Sequence, residues 1–307
     1  MKILVAGATG LVGSAIIRNL QNSYVDVKGI SSADVNLLDR EATFAYIENY
    51  KPDVIIDAAA KVGGIQANND YSVEFLSENI RIQCNLMDAA HQFDVEKFVF
   101  LGSSCVYPRD SKQPIKESYL LTGELESTNS AYAIAKIAGL ELIKSYRSEY
   151  NHKWISVMPA NVYGPNDNFN LQDSHVFPAL IRKFIEAKKS KEKVITLWGT
   201  GKPKREFLHV DDLARGIIFC LQNYEGHSPI NIGTGTDISI SELAIRIARQ
   251  TEFEGEILWD SSKPDGTPRK VLDVSMINEL GWSHTIDLDE GIHQTINWFE
   301  QASTKRV

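Results

Sequence analysis

Short apolar runs and helical stripes alternate along the first half of the chain. Lys2-Ile3-Leu4-Val5-Ala6 has β character, and Ser14-Ala15-Ile16-Ile17-Arg18-Asn19-Leu20 places its apolar residues at helical spacing. The pattern then predicts a strand near Val25-Asp26-Val27, a helix from Glu41 to Tyr50, a strand at Val54-Ile55-Ile56-Asp57 and a long helix from about Tyr71 to Gln92. A strand ending at Leu101 follows, then a helix carrying Tyr132 and Lys136, then a strand at Trp154-Ile155-Ser156-Val157-Met158. Continuous Val/Ile runs between helices belong to strands covered on both faces. The expected fold class is therefore α/β, a doubly wound parallel Rossmann sheet.

From Pro159 the chain becomes loop-rich, through Asn161-Val162-Tyr163-Gly164-Pro165, before a helix from about His175 to Ala187. Arg205-Glu206-Phe207-Leu208-His209-Val210-Asp211-Asp212 leads into another helix, and Pro229-Ile230-Asn231-Ile232-Gly233 reads as a strand returning to the first lobe. The expected division is a Rossmann domain of residues 1–160 and about 206–236, with a smaller, discontinuous mixed α/β substrate lobe of about 161–205 and 237–307.

Between the first strand and helix lies G-x-x-G-x-x-G, formed by Gly7, Gly10 and Gly13. Glycines let backbone approach a pyrophosphate, and the helix that follows offers unpaired N–H groups and a positive dipole end. Ser103 lies just beyond the run Phe98-Val99-Phe100-Leu101-Gly102, and the C-terminal ends of strands are where open α/β sheets hold ligands. Tyr132 and Lys136 are four apart on one helix face. Lys136 is expected beneath the phenol, favouring its ionised form and making Tyr132 a proton donor and acceptor, with Ser103 bonding the same carbonyl oxygen. Alone, Tyr-x-x-x-Lys is a common solvated pair; the glycine turn upstream is what gives it weight. Cys105, two residues after Ser103, brings a thiol to the same edge, where a lone cysteine is otherwise a small buried hydrophobe.

Composition narrows the partners. The chain has 307 residues, 43% of them hydrophobic, with a formal net charge of −8. That balance argues against a nucleic-acid groove or an anionic membrane surface. Cys84, Cys105 and Cys220 are an odd, sparse set without metal-ligand spacing, as expected for a reducing compartment and no metal. No apolar stretch is long enough to span a bilayer, and a cytoplasmic protein is expected.

The glycine turn, Ala58-Ala59-Ala60-Lys61-Val62-Gly63-Gly64-Ile65, the Ser103-Ser104-Cys105 strand end, Tyr132/Lys136, Asn161-Val162-Tyr163-Gly164-Pro165, the Arg205–Asp212 stretch and Lys263-Pro264-Asp265-Gly266-Thr267-Pro268-Arg269-Lys270 together resemble one family. It is that of the GDP-L-fucose synthases, in the extended short-chain dehydrogenase/reductase group, and the resemblance runs through nearly the whole chain. It implies an NADP-dependent enzyme that takes a GDP-sugar, GDP-4-keto-6-deoxy-D-mannose, through epimerisation at C3 and C5 and reduction of the 4-ketone. On that resemblance Cys105 is the base and His175 the acid, with Ser103 and Tyr132 on the enolate oxygen and Lys136 beside them. NADP contacts fall at Gly7, Thr9, Gly10, Leu11, Val12, Gly13, Ser32, Leu38, Asp39 (toward the adenine), Ala59, Leu101, Lys136, Pro159, Asn161, Val162 and His175. Lys183, Trp198, Arg205, Asp265 and Lys270 fall where the family handles the GDP-sugar, Arg205 and Lys270 suiting its pyrophosphate. The long helices at 71–92 and 131–149 fit the homodimer contact of similar enzymes.

Other readings stand beside these. His175 also suits a helix cap, Trp198 the core and Asp265 a Pro-Asp-Gly turn. Thr9 and Ser31-Ser32 stand where relatives carry basic residues for the 2′-phosphate; the second strand also lacks the terminal acid of an NAD reader. Lys183 replaces an expected arginine. A nucleotide-sugar 4-epimerase or 4,6-dehydratase would share the fold, although the dehydratases carry Thr-Asp-Glu in place of Ser103-Ser104-Cys105. A silent NADP-binding sensor would have lost Ser103, Tyr132 and Lys136.

Overall fold

A computed structural model describes residues 1–21, 25–171, 173–263 and 265–304. Its first half alternates as expected: β1 (Lys2–Ala6), α1 (Leu11–Leu20), β2 (Asp26–Ile30), α2 (Arg40–Tyr50), β3 (Val54–Asp57), a short α3 (Ile65–Asp70), α4 (Ser72–Gln92), β4 (Lys97–Leu101), α5 (Ser130–Tyr150) and β5 (Ile155–Pro159). With β10 (Ile230–Ile232), these strands form one six-stranded sheet in the order β10-β5-β4-β3-β1-β2, every pairing parallel. The all-apolar runs follow from that arrangement, because helices cover both faces; all four residues of β3 are buried. Chain order reverses between β1 and β3, so a crevice opens at their C-terminal ends.

The second half contributes β6 (Asn161–Tyr163), α6 (Val176–Ser190), β7 (Val194–Trp198), β8 (Lys204–Arg205), β9 (Phe207–His209), α7 (Val210–Asn223), β10 (Ile230–Ile232), β11 (Ile238–Ser239), α8 (Ile240–Gln250), β12 (Glu256–Asp260), β13 (Arg269–Lys270), α9 (Ser275–Glu279) and α10 (Leu288–Thr304). Small sheets arise from long-range pairings: β11-β8-β13, β12-β7 and β6-β9. Two of these elements differ from the pattern. Asn161–Tyr163 lies in a stretch read as loop yet forms β6, because β9 supplies its hydrogen bonds from more than 40 residues away. The helix expected from His175 starts one residue later and runs on to Ser190. Two apolar cores result, one beneath the large sheet, including Leu4, Ile56 and Phe100, the other around Tyr163, Phe177, Phe184 and Ile247. Among the described residues no helix is long and apolar enough to cross a membrane.

Candidate active site

The glycine turn is shaped by close backbone approach. Gly7 has φ +75°, and a Cβ there would lie 2.6 Å from the Ala58 carbonyl oxygen; a Cβ on Gly13 would lie 2.2 Å from the Gly7 oxygen. Gly10 precedes α1 without any side-chain cap, so the leading N–H groups of Leu11, Val12 and Gly13 are available to an anion. The turn therefore fits a dinucleotide pyrophosphate. Ala59 follows β3 and donates its N–H to Asp57. At the end of β2 the structure adds a group that sequence reasoning left out. Asp34 folds back so that its carboxylate accepts from Ser31 N at 2.8 Å and Ser31 Oγ at 2.9 Å, beside Ser32. The strand itself ends without an acid, as expected, but Asp34 in the turn that follows is brought beside Ser31 in space. Asp39, expected toward the adenine, spends its carboxylate capping α2 through Ala42 N, and Leu38 N donates to Asn36.

Ser103 opens a short 3₁₀ turn, Ser104–Val106, its Oγ accepting from Cys105 N at 3.2 Å. It lies near enough to Tyr132 to oppose the rise in that phenol's pKa. The expected Ser–Tyr–Lys set is thus assembled, but with different electrostatics. Lys136, 3% exposed, donates to the Leu101 carbonyl at 2.8 Å and lies over the Phe100 ring, 6.0 Å from the centre of the Tyr132 ring. Burial, and then the nearby Cys105, hold the Tyr132 phenol above its ordinary range, with Ser103 opposing. The expectation that Lys136 would draw the phenol down is corrected in this geometry, because the ammonium is turned to Leu101. Burial lowers Lys136 and Asp57 supports its charge. Asp57 is a second group that sequence reasoning missed. It is fully buried at the end of β3, and desolvation lifts it to about 6 despite Lys136 and the Ala59 N–H. The available signal was an acid closing an otherwise apolar strand.

Cys105 is half-buried and faces two donors: Asn129 Nδ2 at 3.3 Å from its sulfur and Lys270 Nζ at 3.6 Å. Lys270, expected at the pyrophosphate, thus has its ammonium on the thiol. His175 is the residue before α6 and makes no side-chain cap bond, which removes the capping reading. His175 is exposed as a residue, yet desolvation by the protein around it, with Lys270 nearby, lowers its pKa. Glu206, unremarked in the sequence, ties the strand carrying Lys270 in place. Its buried carboxylate accepts from Leu272 N and Gly235 N, both at 2.7 Å, and from Thr234 N. Asn161 Nδ2 donates to the Glu206 carbonyl, so its amide braces the β6–β9 pair; Pro159 and Val162 lie on either side of it along the chain.

Further along the second lobe, Trp198 is 67% exposed, which rules out a core role, with Lys183 Nζ at 5.9 Å and Lys263 Nζ at 5.4 Å from its ring. Asp265 accepts from Thr200 N and Oγ1, both at 2.7 Å, fixing the turn in front of Arg205. Pro264 of the same motif lies outside the described residues.

A parallel sheet with a glycine turn at its switch point, and a Ser–Tyr–Lys set at the end of a neighbouring strand, define a nucleotide-dependent oxidoreductase of the short-chain dehydrogenase type. The model of the NAD dependent epimerase/dehydratase family matches residues 3–233. The chain is 48% identical over 299 residues to GDP-L-fucose synthase 1 of Arabidopsis thaliana, covering 97% of this chain and 93% of the relative. Among solved structures, a GDP-L-fucose synthetase of Naegleria fowleri bound to NADP is 30% identical, with TM-score 0.91 over 99% of this chain and 95% of that one. A GDP-6-OMe-4-keto-L-xylo-heptose reductase from C. jejuni is 33% identical, with TM-score 0.92 over 98% of both chains. The chain belongs to the NAD dependent epimerase/dehydratase family and, within it, to the GDP-L-fucose synthases.

Proposed function

We propose that this enzyme converts GDP-4-keto-6-deoxy-D-mannose to GDP-L-fucose by epimerising C3 and C5 and then reducing the 4-ketone with NADPH. The observation that carries this reading is the thiol of Cys105, held between Asn129 and Lys270 two residues beyond the serine of the reducing set. Ketone reduction alone has no use for a second proton-transfer group there. Cys105 removes the proton from carbon beside the ketone, and the electron pair moves onto the C4 oxygen, where Ser103 and Tyr132 hydrogen-bond it. His175, the residue before α6, returns a proton to the opposite face. NADPH supplies the hydride for the final step. Tyr132, kept protonated by its surroundings, donates to the C4 oxygen, and buried Lys136 supplies the adjacent positive charge.

The exposed Trp198 ring, with Lys183 and Lys263 around it, suits the nucleotide, and Arg205 its pyrophosphate. The turn at Gly7–Gly13 and the Ser31–Ser32 corner hold NADP. Two separate apolar cores support the division into a Rossmann domain and a substrate domain. A homodimer through α4 and α5 is part of the same reading, supported by the exposed Val73 and Ile134; so is a cytoplasmic location, supported by three free cysteines. Incubation with GDP-4-keto-6-deoxy-D-mannose and NADPH, with the product identified by chromatography and NMR, tests the proposal. A second reading, a C4 reductase without epimerisation, is favoured by the similarity to the heptose reductase. In D₂O it would leave C3 and C5 undeuterated.

A further inference from the structure

Asn129 occupies the position before α5 where an asparagine ordinarily caps the helix with its side chain. Here it makes no cap bond. Its Nδ2 instead donates to Cys105 Sγ at 3.3 Å, and its Oδ1 is buried with no hydrogen-bond partner among the described residues. Three residues on, the same helix begins to present Tyr132 and then Lys136 to the site. The asparagine has thus forgone its usual local bond for one to the thiol, and nothing in the helix itself requires that. Lys270 approaches the same sulfur at 3.6 Å from β13, so the sulfur lies between a neutral donor on the Rossmann side and a cationic donor from the second lobe.

We infer that Asn129 is a positioning residue of the epimerisation half-reaction, its amide N–H donating to the Cys105 sulfur and aiming it into the cleft. This rests on the reading of Cys105 as the base. The chemistry is directional. A thiolate accepts a hydrogen bond far better than a thiol, so a donor aimed at sulfur favours the ionised form. When the sulfur takes a proton from the sugar carbon, the C–H electron pair passes into the enolate and the Asn129 bond weakens. Returning the proton to solvent or product restores it. Hydride transfer at C4 uses Ser103, Tyr132 and Lys136, none of which bonds Asn129.

The test compares Asn129→Ala and Asn129→Asp with the parent enzyme in two measurements. In the first, iodoacetamide alkylation of Cys105 is followed against pH by peptide mass mapping, which separates it from Cys84 and Cys220. Losing a hydrogen bond to a charged group reduces the thiolate fraction about tenfold at neutral pH, while the remaining thiolate becomes more nucleophilic. Asn129→Ala should therefore alkylate about threefold more slowly at pH 7, yet as fast as the parent or faster at pH 10. Asn129→Asp, which sets a carboxylate against the sulfur, should be slower still at pH 7. A purely structural role would not reverse the order with pH.

In the second measurement, solvent deuterium exchange at C3 and C5 should fall about tenfold in Asn129→Ala. NADPH consumption on the pre-epimerised 4-ketone should stay within about twofold. Parallel pH profiles of alkylation in all three proteins, or full exchange in Asn129→Ala, would overturn the inference. Cys105→Ser separates this from failure of the underlying reading: if it still exchanges deuterium at the parent rate, Cys105 is not the base, whatever Asn129 does.

Discussion

Asp57→Asn tests an electrostatic cost that the fold carries next to its reducing set. The carboxylate has no solvent exposure; one oxygen accepts from Ala59 N at 3.1 Å and the other has no partner among the described residues. Burial raises it from 3.8 to about 6. A group whose pKa is raised by folding holds its proton more tightly in the native state. Its contribution to stability is complete below about pH 4 and is lost as pH rises through about 6. At about 1.36 kcal/mol per pH unit, the ionised carboxylate costs about 3 kcal/mol at pH 8. Asparagine keeps the shape and the bond from Ala59 while removing the charge. Denaturant unfolding at pH 8 should show a gain of about 2–3 kcal/mol, and thermal unfolding a rise of roughly 5 °C or more, both fading toward pH 4. Reduction should slow in the same variant, because buried Lys136 loses the carboxylate that supports its charge. Lower stability than the parent at pH 8, or a gain that does not change between pH 4 and pH 8, would refute this reasoning.

Tyr132→Phe should reduce kcat for ketone reduction by about a hundredfold or more while leaving the NADPH Kd nearly unchanged, since the hydroxyl donates only as the C4 oxygen gains charge; steady-state kinetics and cofactor titration check it, and retained turnover would remove Tyr132 from the mechanism. NADPH should be preferred to NADH by a modest margin, and Asp34→Asn should widen that margin roughly three- to tenfold by removing a like charge beside the 2′-phosphate. An unchanged kcat/KM ratio in that variant would show that the phosphate lies away from Ser31. Gly13→Ala, whose Cβ would meet the Gly7 oxygen at 2.2 Å, should weaken NADPH binding at least about tenfold and cost about 1–3 kcal/mol of stability, read by calorimetry and thermal unfolding. Normal binding would mean that the turn opens freely.

Much of this enzyme can be read from short stretches of chain. The Val54–Asp57 run announces a strand buried on both faces, and the spacing of Gly7, Gly10 and Gly13 announces the turn whose backbone contacts exclude a Cβ. Tyr132 and Lys136 fall on one helix face because helical geometry puts them there. The sequence reading went astray where a second, distant segment set the outcome. β6 was hidden in a loop-like stretch because its partner is β9, more than 40 residues on.

The sequence by itself determined the parallel sheet, the dinucleotide turn, the order of the serine, thiol and phenol along the chain, and the family. Each depends on residue spacing of a few positions, where backbone geometry is fixed by the covalent chain. Only the tertiary structure decided what surrounds the reactive groups. Asn129 and Lys270 reach Cys105 from 24 and 165 residues away, and Lys136 turns to the carbonyl of Leu101 rather than to the phenol. Protonation of Tyr132, Lys136 and Asp57 likewise follows from desolvation by all the elements packed around them. Burial and charge act through space and sum over the whole neighbourhood, so no local pattern in the chain encodes them.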